Sequence, residues 1–163
     1  MINRLADAID QLIGVETVDA HCDIPCKIYD PALALVAALS VVRLTDILLE
    51  TAEKPDSIER TNTLVRCTAA KEAEAAKVKE EIVVIWGDYF KAPQIEAHPD
   101  IHILVHDIMM SASRCKQGVL RAEAEALVEK VNAFAEIFWQ TKGVKTERRE
   151  AHYPPSLPVV RPI

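Results

Sequence analysis

The spacing of apolar and polar positions divides the chain into helical stretches separated by short breaks. Residues 1 to 14 place Ile2, Leu5, Ile9, Leu12 and Ile13 three and four apart, a short amphipathic helix closed by Gly14. Val15 to Ala20 lacks that period and reads as an extended, accessible linker ending in a small residue, open to a protease or simply an N-terminal arm. From Pro31 or Ala32 to about Thr51 the pattern begins almost continuously apolar, which predicts a helix buried on nearly all sides within an oligomer. Pro55 interrupts the chain, Asp56 is the expected N-cap with Glu59 three residues on, and a long helix should run to about Trp86. Gly87 to Pro93 reads as a turn, followed by a short helical piece broken at Pro99. A third helix is expected over about 100 to 115 and a fourth over about 120 to 142, stopped by Gly143. Residues 144 to 163 carry four prolines and no helical period, so a flexible tail is expected there. Long helices with short connections predict an all-α, antiparallel four-helix bundle over residues 32 to 143, with little or no sheet.

Composition agrees with this reading. Half the residues are hydrophobic but only 5% are aromatic, and Gly is scarce at four residues, as in helices packed on helices. The net charge of -6 comes without any Lys/Arg cluster, so no nucleic-acid partner is expected. Residues 1 to 20 contribute about -3 of that charge, leaving a mildly acidic remainder if they are removed. No apolar run is read as long enough to span a bilayer, and Asp7 and Asp10 interrupt the place of a secretory apolar region. No membrane partner is therefore expected, and the expected location is cytoplasmic. In that reducing compartment Cys22, Cys26, Cys67 and Cys115 should be thiols.

Chemistry concentrates in His21-Cys22-Asp23-Ile24-Pro25-Cys26. Cys-x-x-x-Cys is common by itself, but here a His precedes the first Cys and the accessible linker precedes the His. Cleavage after Ala20 would make His21 the N-terminus and release its α-amine. That amine, the amide nitrogen of Cys22 and the thiolates of Cys22 and Cys26 form a planar N2S2 set, preferred by nickel(II) or copper(II) over zinc. The His21 imidazole can add an axial ligand. Thiolates and an anionic amide stabilise the higher oxidation state, which allows one-electron cycling.

These residues, followed by Tyr29-Asp30-Pro31, resemble the nickel hook of the nickel-containing superoxide dismutases. Trp86 to Pro93, His98-Pro99-Asp100-Ile101-His102 and Ile137 to Lys142 are similar to that family's later landmarks, in the same order. The resemblance implies a removable pro-segment (residues 1 to 20, cut by a processing protease), a hook (21 to 31) and a four-helix bundle assembling as a homohexamer. It implies one nickel ion per subunit held by His21, Cys22 and Cys26, and disproportionation of superoxide to dioxygen and hydrogen peroxide. Tyr29 would stand over the open face of the metal, Asp23 would shape the loop with Pro25, Tyr89 would lie beside the site, and Lys91 and Lys116 would draw the anion in. Where the family carries glycine after the second cysteine, a glutamate orienting the axial imidazole and that glutamate's arginine partner, this chain has Lys27, Ala37 and Glu74.

The rival reading is a non-catalytic nickel- or copper-binding helical oligomer, for storage or delivery. A third is a helical oligomer whose hook stays covered because residues 1 to 20 remain attached. Among the remaining chemistry-bearing residues, Cys67 and Cys115 read as small buried thiols, Trp86, Phe138, Trp139, Met109 and Met110 as core, and His98, His102 and His106 as capping or surface groups.

Overall fold

The computed structural model describes residues 27–163. The expected N-terminal helix, the linker and the hook residues His21, Cys22, Asp23 and Cys26 therefore lie outside the described residues.

Five α-helices follow: α1 (Ala32–Ala52), α2 (Ile58–Val84), the short α3 (Ala92–Ala97), α4 (Ile101–Gln117) and α5 (Arg121–Thr141). The four long ones pack in a closed ring, α1 on α2, α2 on α4, α4 on α5 and α5 on α1. Short connections join α1 to α2 and α4 to α5, which favours antiparallel neighbours, and the helical fold expected from the periodicity is the one observed. Its interior is aliphatic with a few phenylalanines: Leu39, Val41 and Val42 from α1, Val78 and Ile82 from α2, Ile101 and Ile108 from α4, and Leu127, Phe134 and Phe138 from α5 are all nearly or completely buried.

The helix ends show which local rules prevailed. Asp30 accepts the Ala32 amide at 2.8 Å, so a carboxylate just outside α1 satisfies one of its open N–H groups. The cap of α2 is Ser57, whose side chain accepts from the Arg60 amide, and not Asp56 as expected. Asp56 is instead drawn to the Arg60 guanidinium at 2.6 Å, while Arg60 also donates to the carbonyls of Thr51 (3.2 Å) and Ala52 (2.9 Å). One guanidinium thus ties the end of α1 to the start of α2, which is why this carboxylate serves the ion pair and the hydroxyl serves the cap. At the other end α2 passes into a π-helical turn, Ile85–Tyr89, so the residues expected as a loop remain wound. The C-terminal end of α5 does stop at Gly143, with φ +69°, the conformation for which glycine is suited.

Three departures concern larger features. First, among the described residues α1 is long and apolar enough, by length and composition, to cross a membrane, with a mean hydropathy of 2.1 over 18 residues, which corrects the expectation that no run approaches that length. Half of that window is buried inside the fold. Second, the expected tail is an antiparallel hairpin, β1 (Thr146–Glu150) with β2 (Pro158–Pro162), so the chain is not without sheet. It lies on α5, where Asn132, wholly buried, accepts from the Val160 amide and donates to the Pro158 carbonyl, both at 2.9 Å. Arg148 in β1 pairs with Glu129 and Glu136, each at 2.7 Å. Third, Cys67 is only half-buried and Met110 is exposed, whereas Cys115 is buried as expected.

Candidate metal centre

Among the described residues no group of three or more His, Cys, Asp and Glu side chains could hold a metal ion. All three candidate ligands, His21, Cys22 and Cys26, precede the first described residue. With His21 freed as an N-terminus, the donor set they would offer suits a square-planar d8 ion: two thiolates, an amide and an amine are softer and more strongly donating than the carboxylates and carbonyls favoured by harder cations. The described structure begins at the chain's next residue. Lys27, directly after Cys26, has φ +57°, the left-handed conformation in which a side chain costs about 1 to 2 kcal/mol and glycine costs little. The position that the resemblance pairs with a glycine is thus one whose backbone conformation favours glycine, and this chain adopts it with a lysine.

Two residues on, Tyr29 enters a cluster of rings at the end of the bundle formed by the N-terminus of α1 and the C-terminal ends of α2 and α5. Its ring packs on Tyr89, centroids 5.8 Å apart and tilted by 53°. Tyr89 in turn packs on Phe138 at 4.9 Å and edge-on to Phe90 at 5.4 Å, and its hydroxyl lies 2.8 Å from Thr141 Oγ1. The Lys142 ammonium stands over these rings, 4.7 Å from the Phe138 centroid and 5.2 Å from that of Tyr89. A cleft of about 250 Å³ runs beside Tyr29, between Ile28, Asp30 and Leu33 on one side and Glu80, Val84 and Ile85 on the other.

The sequence-predicted residues are only partly brought together. Tyr29 and Tyr89 are in contact. Lys91 lies two residues beyond Tyr89 and its ammonium donates to the Gly87 carbonyl at 3.0 Å, capping the π turn, so it is near the pair but engaged with its own backbone. Lys116 is elsewhere. It closes α4, where the Lys71 ammonium donates to its carbonyl at 3.2 Å, and Lys71 precedes Ile85 by 14 residues on α2, roughly 21 Å at the helical rise. Within one chain Lys116 is therefore not beside the tyrosines. Ala37 is buried in the core, and Glu74 lines a separate cleft with Ser40, Arg43 and the Tyr153-Pro154 corner of the hairpin. Trp86 donates from Nε1 to His102 Nδ1 at 3.0 Å, so the landmark His102 meets the π turn edge-on as a hydrogen-bond acceptor.

Sequence reasoning missed three residues. Lys71, buried inside the helical ring, donates to the carbonyls of Cys115, Lys116 and Gly118 and so satisfies the open end of α4. Burial lowers its pKa from the usual 10.5 and raises that of the Cys115 thiol above 9.0. Only a lysine on a face otherwise occupied by Ala75, Val78 and Ile82 signalled it. Thr141 and Lys142 fell in a landmark stretch without a role, because Tyr89, the ring they share, lies more than 50 positions back in the chain.

Comparison with known proteins places this geometry. The family model described as nickel-containing superoxide dismutase matches residues 16–142. A superoxide dismutase [Ni] of Streptomyces coelicolor is 36% identical over 126 residues, 77% of this chain and 91% of that protein. That of Streptomyces seoulensis is 34% identical over 125 residues, 77% of this chain and 90% of that protein. Among solved structures, a native nickel superoxide dismutase superposes with a TM-score of 0.66 at 34% identity, covering 75% of this chain and 99% of that one. One with its nickel ligation in the oxidised state superposes with a TM-score of 0.67 at 33% identity, covering 76% and 99%. The matched region contains the hook, the tyrosine pair and the end of α5, and stops short of the hairpin. From a point ahead of His21 through Lys142, this chain belongs to the family of nickel-containing superoxide dismutases.

Proposed function

We propose that this chain is the precursor of a superoxide dismutase that converts two superoxide ions and two protons into dioxygen and hydrogen peroxide, after removal of residues 1 to 20 by a processing protease. The observation that carries the reading is the continuous family match over residues 16–142, with the hook's His21, Cys22 and Cys26 inside it. Nickel, when held by the amine and imidazole of His21, the amide and thiolate of Cys22 and the thiolate of Cys26, supplies a one-electron couple between its two- and three-plus states. Everything else is work for this chain's own groups. Lys27 turns the backbone sharply after Cys26 so that Tyr29 can return to the bundle end. Tyr29 offers its phenol to the small anion or its product and narrows access for anything larger, with Tyr89 holding its ring. Lys91 and Lys142 place positive charge at this end of an acidic protein, where the local field governs the approach of an anion. Asp23 shapes the loop.

The same proposal includes a cytoplasmic setting and assembly as a homohexamer. Leu33, Val36 and Leu49, apolar and exposed on α1, are what such an assembly would cover. In it a neighbouring copy would bring its Lys116 toward the tyrosine pair. The test is to express the chain beginning at His21, load it with nickel and follow superoxide consumption. Turnover far above that of free nickel ion, lost on chelation and in Cys22→Ser, supports the reading. Tight nickel binding with no turnover would leave storage or delivery as its function. Mass spectrometry of the protein from cells should show the loss of 20 residues; an intact Ala20-His21 bond in the active protein would sink the proposal.

A further inference from the structure

A threonine hydroxyl carries one proton. Thr141 Oγ1 lies 2.7 Å from the carbonyl oxygen of Phe138, one turn back along α5, and a carbonyl has no proton to give, so Thr141 donates there. The same Oγ1 lies 2.8 Å from the hydroxyl of Tyr89. With its proton already committed, Thr141 accepts in this second contact and Tyr89 donates. We infer that Thr141 is a positioning residue: it points the Tyr89 phenol proton at the end of α5, so that toward the Tyr29 side the Tyr89 oxygen offers lone pairs and no proton.

The surroundings hold that arrangement in place. The Lys142 ammonium lies 5.2 Å from the Tyr89 ring centroid, and Phe138 and Phe90 pack against the same ring at 4.9 and 5.4 Å, which leaves the phenol little freedom to swing away. Tyr29 and Tyr89, adjacent and chemically alike, are thereby made unlike. Tyr89 can accept a hydrogen bond from a water, from the protonated product or from a neighbouring phenol, and it does not compete for the negative oxygen of the substrate. Donation to that oxygen is left to other groups. This rests on the proposed function only in placing the tyrosine pair beside the metal; the orientation of the Tyr89 proton stands on the two hydrogen bonds alone.

Two variants separate the hydroxyl from the shape of the side chain. Thr141→Val keeps the branched form and removes the hydroxyl, and Thr141→Ser keeps the hydroxyl. The chain has three tyrosines, Tyr29, Tyr89 and Tyr153, so the ultraviolet Raman tyrosine doublet of the full chain, less that of Tyr89→Phe, reports whether the Tyr89 phenol donates or accepts. That measurement needs no nickel. The doublet should show a donor in the unmodified chain and in Thr141→Ser, and lose that signature in Thr141→Val. In the nickel-loaded chain beginning at His21, Thr141→Val should turn over roughly tenfold more slowly, the effect of one lost hydrogen bond at an oriented group, with Thr141→Ser near the unmodified rate. A donor signature that persists in Thr141→Val overturns the inference, as does a lost signature with turnover unchanged. Absence of turnover in the unmodified loaded chain would count against the proposed function instead, and leave the Raman result to decide the orientation.

Discussion

Replacing Lys27 with glycine should strengthen nickel binding, because the backbone at this position is held where a side chain is unfavourable. With φ at +57°, a non-glycine residue costs about 1 to 2 kcal/mol relative to an ordinary helical or extended conformation. Glycine removes that cost but gives the free hook more conformations to lose, an opposing effect of about 0.4 to 1 kcal/mol. The Lys27 side chain is exposed, so its removal sacrifices no packing. The net gain is about 0.5 to 1 kcal/mol, or roughly a two- to fivefold lower nickel dissociation constant in the chain beginning at His21. Competition with a chelator of known affinity measures it. Lys27→Ala is the control, since it removes the charge and keeps the strained conformation, and should bind nickel as the unmodified chain does. Lys27→Val, stiff at its β-carbon, should bind several-fold more weakly. The reasoning is refuted if alanine tightens binding as much as glycine, which would make charge the cause, or if glycine weakens it.

The hairpin should be separable from the bundle. Asn132→Leu leaves the Pro158 carbonyl and the Val160 amide without their partner, at about 1 to 3 kcal/mol each, so limited proteolysis should cut between residues 151 and 157 while circular dichroism keeps the helical signal; unchanged resistance would show that Asn132 does not hold the strand. Iodoacetamide at pH 8 to 9 should label half-buried Cys67 well before Cys115, whose burial keeps its thiol protonated, and equal rates would contradict the packing around α4. Because the Cys115 pKa is raised on folding, its contribution to stability is complete below about 9.0 and is lost as pH rises through the higher folded value; urea melts should show the unmodified chain losing more stability than Cys115→Ala between pH 8 and 10. Arg60→Leu removes the donor to Thr51 and Ala52 and should cost about 2 kcal/mol in the same melts, with Asp56→Asn costing much less because that carboxylate is almost fully exposed.

Helix positions were legible because each long helix carries its own evidence. The apolar run opening at Ala32 and the stop at Gly143 are local signals, and the observed boundaries, Ala32–Ala52 and Arg121–Thr141, follow them. The choice between Asp56 and Ser57 as cap was not local, since it turned on Arg60 reaching back to the last carbonyls of α1. The π turn was read as a loop because Gly87-Asp88 is ordinary turn chemistry, and its winding is secured by Lys91 on the Gly87 carbonyl and by the packing of Tyr89. The hairpin escaped for a related reason. Thr146–Glu150 has no apolar face, and its partner is rich in proline, so neither strand signals itself; Asn132 and Glu136 on α5 supply what the strands lack.

By itself the amino-acid sequence supplied the candidate donor groups and the helices: an imidazole, a backbone amide and two thiols within six residues are a property of consecutive positions, and helical period is a property of a few turns. Only the tertiary structure decided which distant groups meet. It set Tyr29 against Tyr89, Tyr89 against Thr141, and the Lys116 carbonyl against Lys71, well back along α2 from the tyrosines, because such contacts depend on how four helices are aligned along their lengths, and no short stretch of chain encodes that alignment.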